Sequence, residues 1–297
     1  MSTPLLVLRS ATRRLRNIPG AVLVLDKVRR RWLVTDRTIV VNDFDGDLKL
    51  ELSLGGHMGS QIFWYGSYSR HELRVLDALL EPGMVVADVG ANMGEVTLAA
   101  AKRVGPTGRV HSFEPVDTIA ERLLRNVGMN GLDQVTVHRF GLSDAPGEVE
   151  IYTSEQRFDD GTIHEGLSTI FAGGDRRSVI QTIPLRTMDS LLDDGTLTRL
   201  DLLKVDVEGA ELAVLHGAKR VLEQLKPWVM MEVNAGTSEN ADVPLADVPG
   251  FLVERGYRLY RIDRARKLHR LSLDALAPFQ NVLAAPPGKS SPLLADG

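Results

Sequence analysis

One turn constrains the fold of this chain more than any other feature. Residues 85–91 read VVADVGA, a run of β-favouring apolar residues that includes Asp88 and passes directly into Gly90. Gly94 follows closely, and residues 95–101 have the composition of a helix start. A buried parallel strand, a glycine turn and a helix N-terminus are how α/β folds hold a nucleotide-like cofactor. The sequence therefore predicts an α/β fold around this turn.

The spacing within the turn indicates the class of cofactor. A dinucleotide fingerprint requires G-x-G-x-x-G, but Asn92 and Glu95 stand at its second and third glycine positions. The pattern is instead D-x-G-x-N-x-G. We expect Asp88 to bind turn amides or a cofactor ammonium, Gly90 to allow close backbone approach, and Gly94 to allow close strand–helix packing. A plain βα turn of the same composition is the structural alternative.

Two further polar positions follow the next predicted strands. Glu114 ends the strand over 109–113, 26 residues after Asp88, where a carboxylate can accept hydrogen bonds from both hydroxyls of a ribose. Ser143 and Asp144 follow the third predicted strand, and we expect Asp144 to accept from the exocyclic amine of an adenine. Ordinary turn chemistry is the alternative for this second pair.

A second acidic block follows the predicted strand over 202–207. Asp206 and Glu208 lie two residues apart there, and Glu232 ends the next strand. Because parallel strands present ligands at their carboxyl ends, we expect Asp88, Asp206, Glu208 and Glu232 to converge at one rim. Crowded carboxylates favour a cationic ligand, shifted pKa values or a hard metal ion. No histidine pair has zinc spacing, and we assign no metal ligand.

The pattern along the chain divides it into three parts. These are a basic N-terminal helical arm with a β-hairpin extension (1–65), a main domain of alternating strands and helices (66–285) and a tail expected to be disordered (286–297). The predicted fold is a seven-stranded, mostly parallel sheet with helices on both faces. It includes a single helix over 210–225 and a terminal antiparallel pair of strands over 257–262 and 281–284. Residues 154–182 interrupt its rhythm and are predicted to form a loop that covers the acceptor as a lid.

Charge and composition restrict the partners. Residues 1–37 carry nine Lys and Arg against two Asp, a net of +7, which leaves −11 for the rest of a chain whose net charge is −4. The arm is suited to peripheral contact with an anionic membrane surface, or is simply a solvated helix face. The acidic body argues against a nucleic-acid partner.

The absence of cysteine excludes disulfides, thiolate catalysis and Cys-ligated zinc. The sequence has neither a run of 18 apolar residues nor a signal-peptide pattern, so we expect a cytoplasmic protein.

Several blocks together resemble the FkbM-type methyltransferase family. They are residues 66–72, 88–94, 113–115, 184–189, 203–211 and 231–234. The resemblance covers roughly residues 60–285, and the Lys-x-Asp-x-Glu-Gly-x-Glu block that begins at Lys204 is its most specific part. It implies a class I methyltransferase fold with Rossmann-like topology. It also implies S-adenosylmethionine as the donor and a hydroxyl acceptor on a sugar or natural product.

The predicted function is therefore S-adenosylmethionine-dependent O-methyl transfer to a small-molecule or glycan hydroxyl. The hydroxyl must lose a proton, so we expect Glu208 to be the base, with Asp206 as a positioning group and Glu232 and His164 as further candidates. The predicted cofactor ligands are Asp88, Gly90, Asn92, Gly94, Glu114, Ser143, Asp144 and Asp206.

Some alternatives stay open at this point. They are an NAD-dependent oxidoreductase and a non-catalytic protein that binds anionic surfaces through its arm. No metal is expected to be required. The oligomeric state is undetermined, with a homodimer as one option.

Overall fold

The computed structural model describes residues 3–15, 37–154, 177–263 and 267–289, with the isolated positions 18, 162 and 168–170. Its strands are β1 (Thr38–Phe44), β2 (Leu48–Ser53), β3 (Val85–Val89), β4 (Arg109–Phe113), β5 (Val135–His138), β6 (Gly141–Leu142), β7 (Gly147–Ser154), β8 (Ser168–Thr169), β9 (Arg177–Arg186), β10 (Leu202–Val205), β11 (Trp228–Asn234), β12 (Arg258–Ile262), β13 (Leu268–Arg270) and β14 (Phe279–Ala285).

The α-helices of the same ranges are α1 (Thr3–Leu15), α2 (His57–Tyr65), α3 (Arg70–Leu79), α4 (Glu95–Val104), α5 (Asp117–Met129), α6 (Met188–Asp193), α7 (Glu211–His216), α8 (Lys219–Gln224), α9 (Ala235–Asn240) and α10 (Asp247–Val253). A 3₁₀ turn covers Leu273–Ala275. None of the helices in the described part of the chain is long and apolar enough to cross a membrane.

The central sheet has eight strands in the order β13-β12-β14-β11-β10-β3-β4-β5. Strands β5, β4, β3, β10 and β11 are parallel, whereas β14 pairs antiparallel with both β11 and β12. This confirms the mostly parallel α/β sheet and the antiparallel strand pair expected near the C-terminus. We predicted seven strands, and the sheet has eight because β13, which is only three residues long, adds a strand at the edge.

The strand order reverses between β3 and β10, which is where open α/β sheets form their ligand crevice. The glycine turn after β3 therefore opens into this crevice. Both faces of the sheet are covered: on β10, Leu202 packs into one apolar cluster with α2, α3 and α4, while Leu203 packs into another with α6, α7 and α8. Alternation along the strand explains this division.

The β1–β2 hairpin packs against the main domain. Phe44, Leu50 and Leu52 are fully buried in the same cluster as the central strand residue Val86, so the expected boundary at residue 65 lies within one hydrophobic core. The side-chain amide of Asn126 on α5 accepts from the backbone of Glu51 in β2 at 2.7 Å. This hydrogen bond gives a partner to the Glu51 N–H, which lies at the open edge of the hairpin.

Three sequence expectations need correction. The region 154–182 is not wholly a loop, because β9 begins at Arg177 and pairs with β7 in a separate sheet of order β6-β9-β7-β8. The single helix expected over 210–225 is divided into α7 and α8. The break occurs at Gly217, where a Cβ would lie 1.9 Å from the Ser143 carbonyl oxygen. The strand expected over 202–207 ends at Val205.

Candidate active site

The glycine turn connects β3 to α4 and packs against the end of β10. Gly90 and Gly94 have φ of 76° and 98°, in the left-handed region that favours glycine. A Cβ on Gly90 would lie 1.9 Å from the carbonyl oxygen of Asp206, and one on Gly94 would lie 2.5 Å from Leu123 of α5. Both positions thus require glycine for close packing of the protein itself, which brings the turn and the second acidic block together.

Asp88 lies beneath this turn and is fully buried. Its Oδ1 is 3.1 Å from Nζ of Lys204, and its Oδ2 accepts from the Thr97 hydroxyl at 2.6 Å. From the sequence we expected Asp88 to bind turn amides or a cofactor ammonium. In the structure, the ammonium that Asp88 binds belongs to Lys204. Asp88 is fully buried, whereas the Asp206 side chain is 38% exposed, although both carboxylates approach the Lys204 ammonium.

Lys204 was quoted in the sequence motif but given no role there. Its Nζ donates to the carbonyl oxygens of Gly90 at 2.8 Å and Val89 at 3.3 Å, and lies 3.6 Å from Asp206. Burial alone would lower the pKa of Lys204, but the attraction of Asp88 and Asp206 raises it above its usual value. The sequence did contain a signal for this pairing. Lys204 stands inside an otherwise apolar strand, and a buried charge needs a partner of opposite charge.

Glu114 and Asn92 come together as part of the same turn. The Glu114 carboxylate accepts from the backbone N–H groups of Asn92 at 2.9 Å and Val116 at 3.0 Å. Burial raises its pKa to about 7. Each oxygen keeps a lone pair for another donor, so the predicted contact with ribose hydroxyls is compatible with these bonds.

Glu95 connects the turn to the segment before α3, a role that sequence reasoning missed. Its side chain is 2% exposed and accepts from the backbone N–H groups of Tyr68 at 2.8 Å and Ser69 at 3.1 Å. Burial raises its pKa to about 7. The only sequence signal was its place directly after Gly94, at the start of a helix.

Three carboxylates gather where β10 and β11 end. Burial, and then repulsion from Asp206 and Glu232, raises the pKa of Glu208 to about 9. Burial, and then repulsion from Asp206, raises the pKa of Glu232 to about 7. Glu208 follows the end of β10 in a turn with φ of 55°, so its direction is set by this turn and not by strand alternation. We call Asp206, Glu208 and Glu232 the acidic rim.

Two residues from the segment preceding the turn approach this rim. Burial raises the pKa of Glu72 on α3, and the charge of Asp206 adds to the effect. Tyr68 is 49% exposed, and partial desolvation, together with the charges of Glu232, Asp206 and Glu208, also raises its pKa. Neither residue follows a strand end, so the sequence pattern gave no signal that they would approach the acidic rim.

His57 lies beside Tyr68, with ring centroids 5.9 Å apart in an edge-to-face arrangement. Its Nδ1 is hydrogen-bonded with the hydroxyl of Thr162 at 3.1 Å, which brings one residue of the predicted lid close to the rim. His164 and most of the segment 154–182 lie outside the described residues. The roles predicted for His164 and the lid therefore stay predictions.

Ser143 and Asp144 lie beside the end of α7. The backbone of Ser143 is so close to Gly217 that no residue with a Cβ fits at position 217. The Ser143 hydroxyl bonds Asp144 at 3.1 Å, and its backbone N–H donates to Arg186 of β9 at 2.9 Å. Their predicted adenine contact stays a prediction. Among the described residues, no group of three or more His, Asp or Glu side chains is arranged to hold a metal ion.

Comparison with known proteins gives a family match across most of this site. A family model described as the Methyltransferase FkbM domain matches residues 88–259. The match begins at Asp88 and includes Glu114, the acidic rim and Lys204.

Individual relatives match parts of the chain. AMB antimetabolite synthetase AmbE of Pseudomonas aeruginosa is 32% identical over 198 residues, covering 57% of this chain and 9% of that protein. Hexuronic acid methyltransferase AglP of Haloferax volcanii is 29% identical over 170 residues, covering 56% of this chain and 64% of that protein. The chain thus spans less than two thirds of the length of either relative. The crystal structure of methyltransferase FkbM from Methylobacillus flagellatus KT has a TM-score of 0.42 and 21% identity, covering 70% of this chain and 44% of that one.

Proposed function

This chain belongs to the FkbM methyltransferase family, and from that premise we propose that it moves a methyl group from S-adenosylmethionine to a hydroxyl of a small-molecule or glycan acceptor. The observation that carries the proposal is the glycine turn at the reversal of strand order, with the Glu114 carboxylate behind it and the acidic rim beside it. A turn of this kind suits a nucleoside, and crowded carboxylates suit a cation.

The residues at this site fit the donor in three respects. Glu114 is buried and anchored by backbone donors, so it can accept hydrogen bonds from ribose hydroxyls without moving. Asn92 has φ of 49°, which turns the backbone between the two glycines. Two members of the acidic rim, Glu208 and Glu232, have raised pKa values that a nearby positive charge would lower again. S-adenosylmethionine, when bound, supplies a methyl group on a positively charged sulfur together with an ammonium group.

The proton of the acceptor hydroxyl needs a base within hydrogen-bond reach. A base works best when its pKa lies near the working pH, and the pKa of Glu232 is about 7. Burial, and then repulsion from Asp206 and Glu232, raises the pKa of Glu208 further, to about 9, which makes it the less effective base near neutral pH. We therefore place Glu232 ahead of Glu208 as the base, the reverse of the order expected from sequence, and keep Asp206 as a positioning group.

Calorimetry with S-adenosylhomocysteine tests the donor site directly. We expect binding, and we expect Glu114→Ala to weaken it by about 1.5–3 kcal/mol because a hydrogen bond to a charged group is lost. Glu121→Ala, which removes an exposed carboxylate from α5, is the matched control. The proposal fails if the protein does not bind S-adenosylhomocysteine, or if it binds NAD in its place. Unchanged affinity in Glu114→Ala alone would remove Glu114 from the donor site.

The alternative of an anionic-surface-binding arm gains no support from the described part of α1. Arg9 and Arg13 are both paired there with Asp43 of the β-hairpin. Arg9 also donates to the backbone oxygen of Phe63 at 3.0 Å. These two charges therefore attach the helix to the domain.

A further inference from the structure

Phe279 is an exposed aromatic residue at the same edge of the sheet as the acidic rim. It begins β14 and pairs with Asn234 at the end of β11. Phe279 is 63% exposed. The other phenylalanines at described positions are buried or half-buried, and they are Phe44, Phe63, Phe113, Phe140 and Phe251. A single exposed apolar residue is ordinary on a surface, so its neighbours decide what it means.

Strand register places Phe279 on the same face as Glu232. Directly opposed residues of an antiparallel pair share a face, and so do residues two apart along a strand. Phe279 opposes Asn234, and Asn281 opposes Glu232, so all four share one face. Phe279 and Glu232 are diagonal neighbours, a relationship that separates residues by about 7–8 Å.

Hydrogen bonds fix the polar part of this face. Asn281 is hydrogen-bonded to the Glu72 carboxylate of α3, and Asn234 donates to Glu232 at 3.2 Å. The Asn234 side chain also accepts from Gly236 at the start of α9. Beside Phe279, therefore, lies a row of oriented amides and carboxylates that can bind several hydroxyl groups.

The charge of this face limits what can bind. The carboxyl groups of Glu208, Glu232 and Glu72 all lie within interaction range of Asp206, and burial, followed by repulsion from Asp206, raises their pKa values. Lys204, the nearby cation, is already paired with Asp88 at 3.1 Å. A neutral hydroxyl or an ammonium is compatible with this field, whereas another carboxylate adds to the repulsion.

We propose that Phe279 is the platform on which the acceptor ring stacks, and that this ring is a neutral or amino sugar with a hydroxyl bound to Glu232. The inference rests on the proposed function, because it takes the acidic rim as the place of methyl transfer. Small-molecule sites combine apolar or aromatic surface with a few placed polar groups, and a sugar ring has a C–H face and a hydroxyl edge that match this division. A uronic acid should be rejected, although one relative is named for that substrate class.

The test is saturation-transfer NMR on protein loaded with S-adenosylhomocysteine. The probes are methyl β-D-glucopyranoside, D-glucosamine and D-glucuronate. We expect the first two sugars to bind at least about tenfold more tightly than glucuronate. Phe279→Ala should weaken them by roughly tenfold, the effect of one lost aromatic contact. Phe279→Tyr should retain binding, and Leu124→Ala, which removes an exposed apolar side chain from α5, should not change it.

A further variant tests the part played by charge. Glu232→Gln keeps the shape of the side chain, and we expect it to reduce the preference against glucuronate. The inference is overturned if glucuronate binds as tightly as the neutral sugar, if Phe279→Ala binds like Leu124→Ala, or if none of the three probes binds. Calorimetry with S-adenosylhomocysteine on the same samples separates the two proposals. Donor binding without sugar binding overturns this inference alone, whereas loss of donor binding contradicts the proposed function.

Discussion

The Lys204 ammonium lies 3.1 Å from the Asp88 carboxylate, and this buried ion pair connects the two most informative motifs of the chain. The side chains are 6% and 0% exposed, so neither charge has water as an alternative partner. Because Lys204 also donates to the carbonyl oxygen of Gly90, the pair fixes the path of the turn as well as its own position. The ammonium of Lys204 on β10 therefore helps to fix the conformation of the turn that follows β3.

Replacing Lys204 by methionine should therefore destabilise the protein. The change leaves Asp88 buried and unpaired, and removing one partner of a buried pair costs about 3–5 kcal/mol. Urea denaturation measures the loss. Lys102→Met is the control, because Lys102 pairs with the exposed Asp47 and should contribute little. Equal midpoints for the two variants would show that the buried pair does not stabilise the fold.

Gly90→Ala should disrupt the turn by steric overlap. The new Cβ would lie 1.9 Å from the Asp206 carbonyl oxygen, so either the turn or the end of β10 must move. We expect the affinity for S-adenosylhomocysteine, measured by calorimetry, to fall at least tenfold. Gly105→Ala is the control, since Gly105 has φ of 66° and ψ of −174° with nothing within 4 Å of its Cβ position, and it should show only backbone strain of about 1–3 kcal/mol. Equal effects on donor affinity would exclude the overlap as the cause.

Much of the fold was predictable because its signals are local. The strands β3 and β4 and the hairpin follow from apolar runs and turn residues. The break between α7 and α8 was not predictable, because Gly217 is required by the carbonyl oxygen of Ser143, which is distant in sequence. The strand β9 was missed for a similar reason, since its pairing with β7 spans a long irregular segment.

The candidate site was predictable in its residue types more than in its geometry. Strand ends in a parallel sheet meet at one edge, so Asp206, Glu208 and Glu232 could be placed together in advance. Sequence periodicity does not show that Asp88 is neutralised by a lysine from another strand. Glu95 was missed as well, because its partners are backbone N–H groups, which carry no sequence signature.

Stability should fall as the pH rises, and Glu95 should contribute to this dependence. Its pKa is about 7 in the folded protein and near its ordinary value of 4.5 in the unfolded chain. The folded state therefore holds the extra proton between these values, and stability declines by up to about 1.4 kcal/mol per pH unit for such a group. Urea denaturation from pH 4.5 to 8 measures the slope. Glu95→Gln should reduce it and Glu121→Gln should not, whereas an unchanged slope in Glu95→Gln would place the pKa of Glu95 in its ordinary range.

The base can be assigned from the pH dependence of two matched variants. If Glu232 takes the hydroxyl proton, kcat/KM for S-adenosylmethionine should rise tenfold per pH unit below about pH 7 and level off above it, since only the carboxylate accepts a proton. Methyl transfer to the sugar that binds best gives the rate. Glu232→Gln should lower it by roughly 10²–10⁴-fold with donor affinity retained. Glu208→Gln imitates the protonated form that Glu208 has at neutral pH, so it should keep the rising limb. The reverse result, with Glu208→Gln inactive and Glu232→Gln active, would assign the base to Glu208.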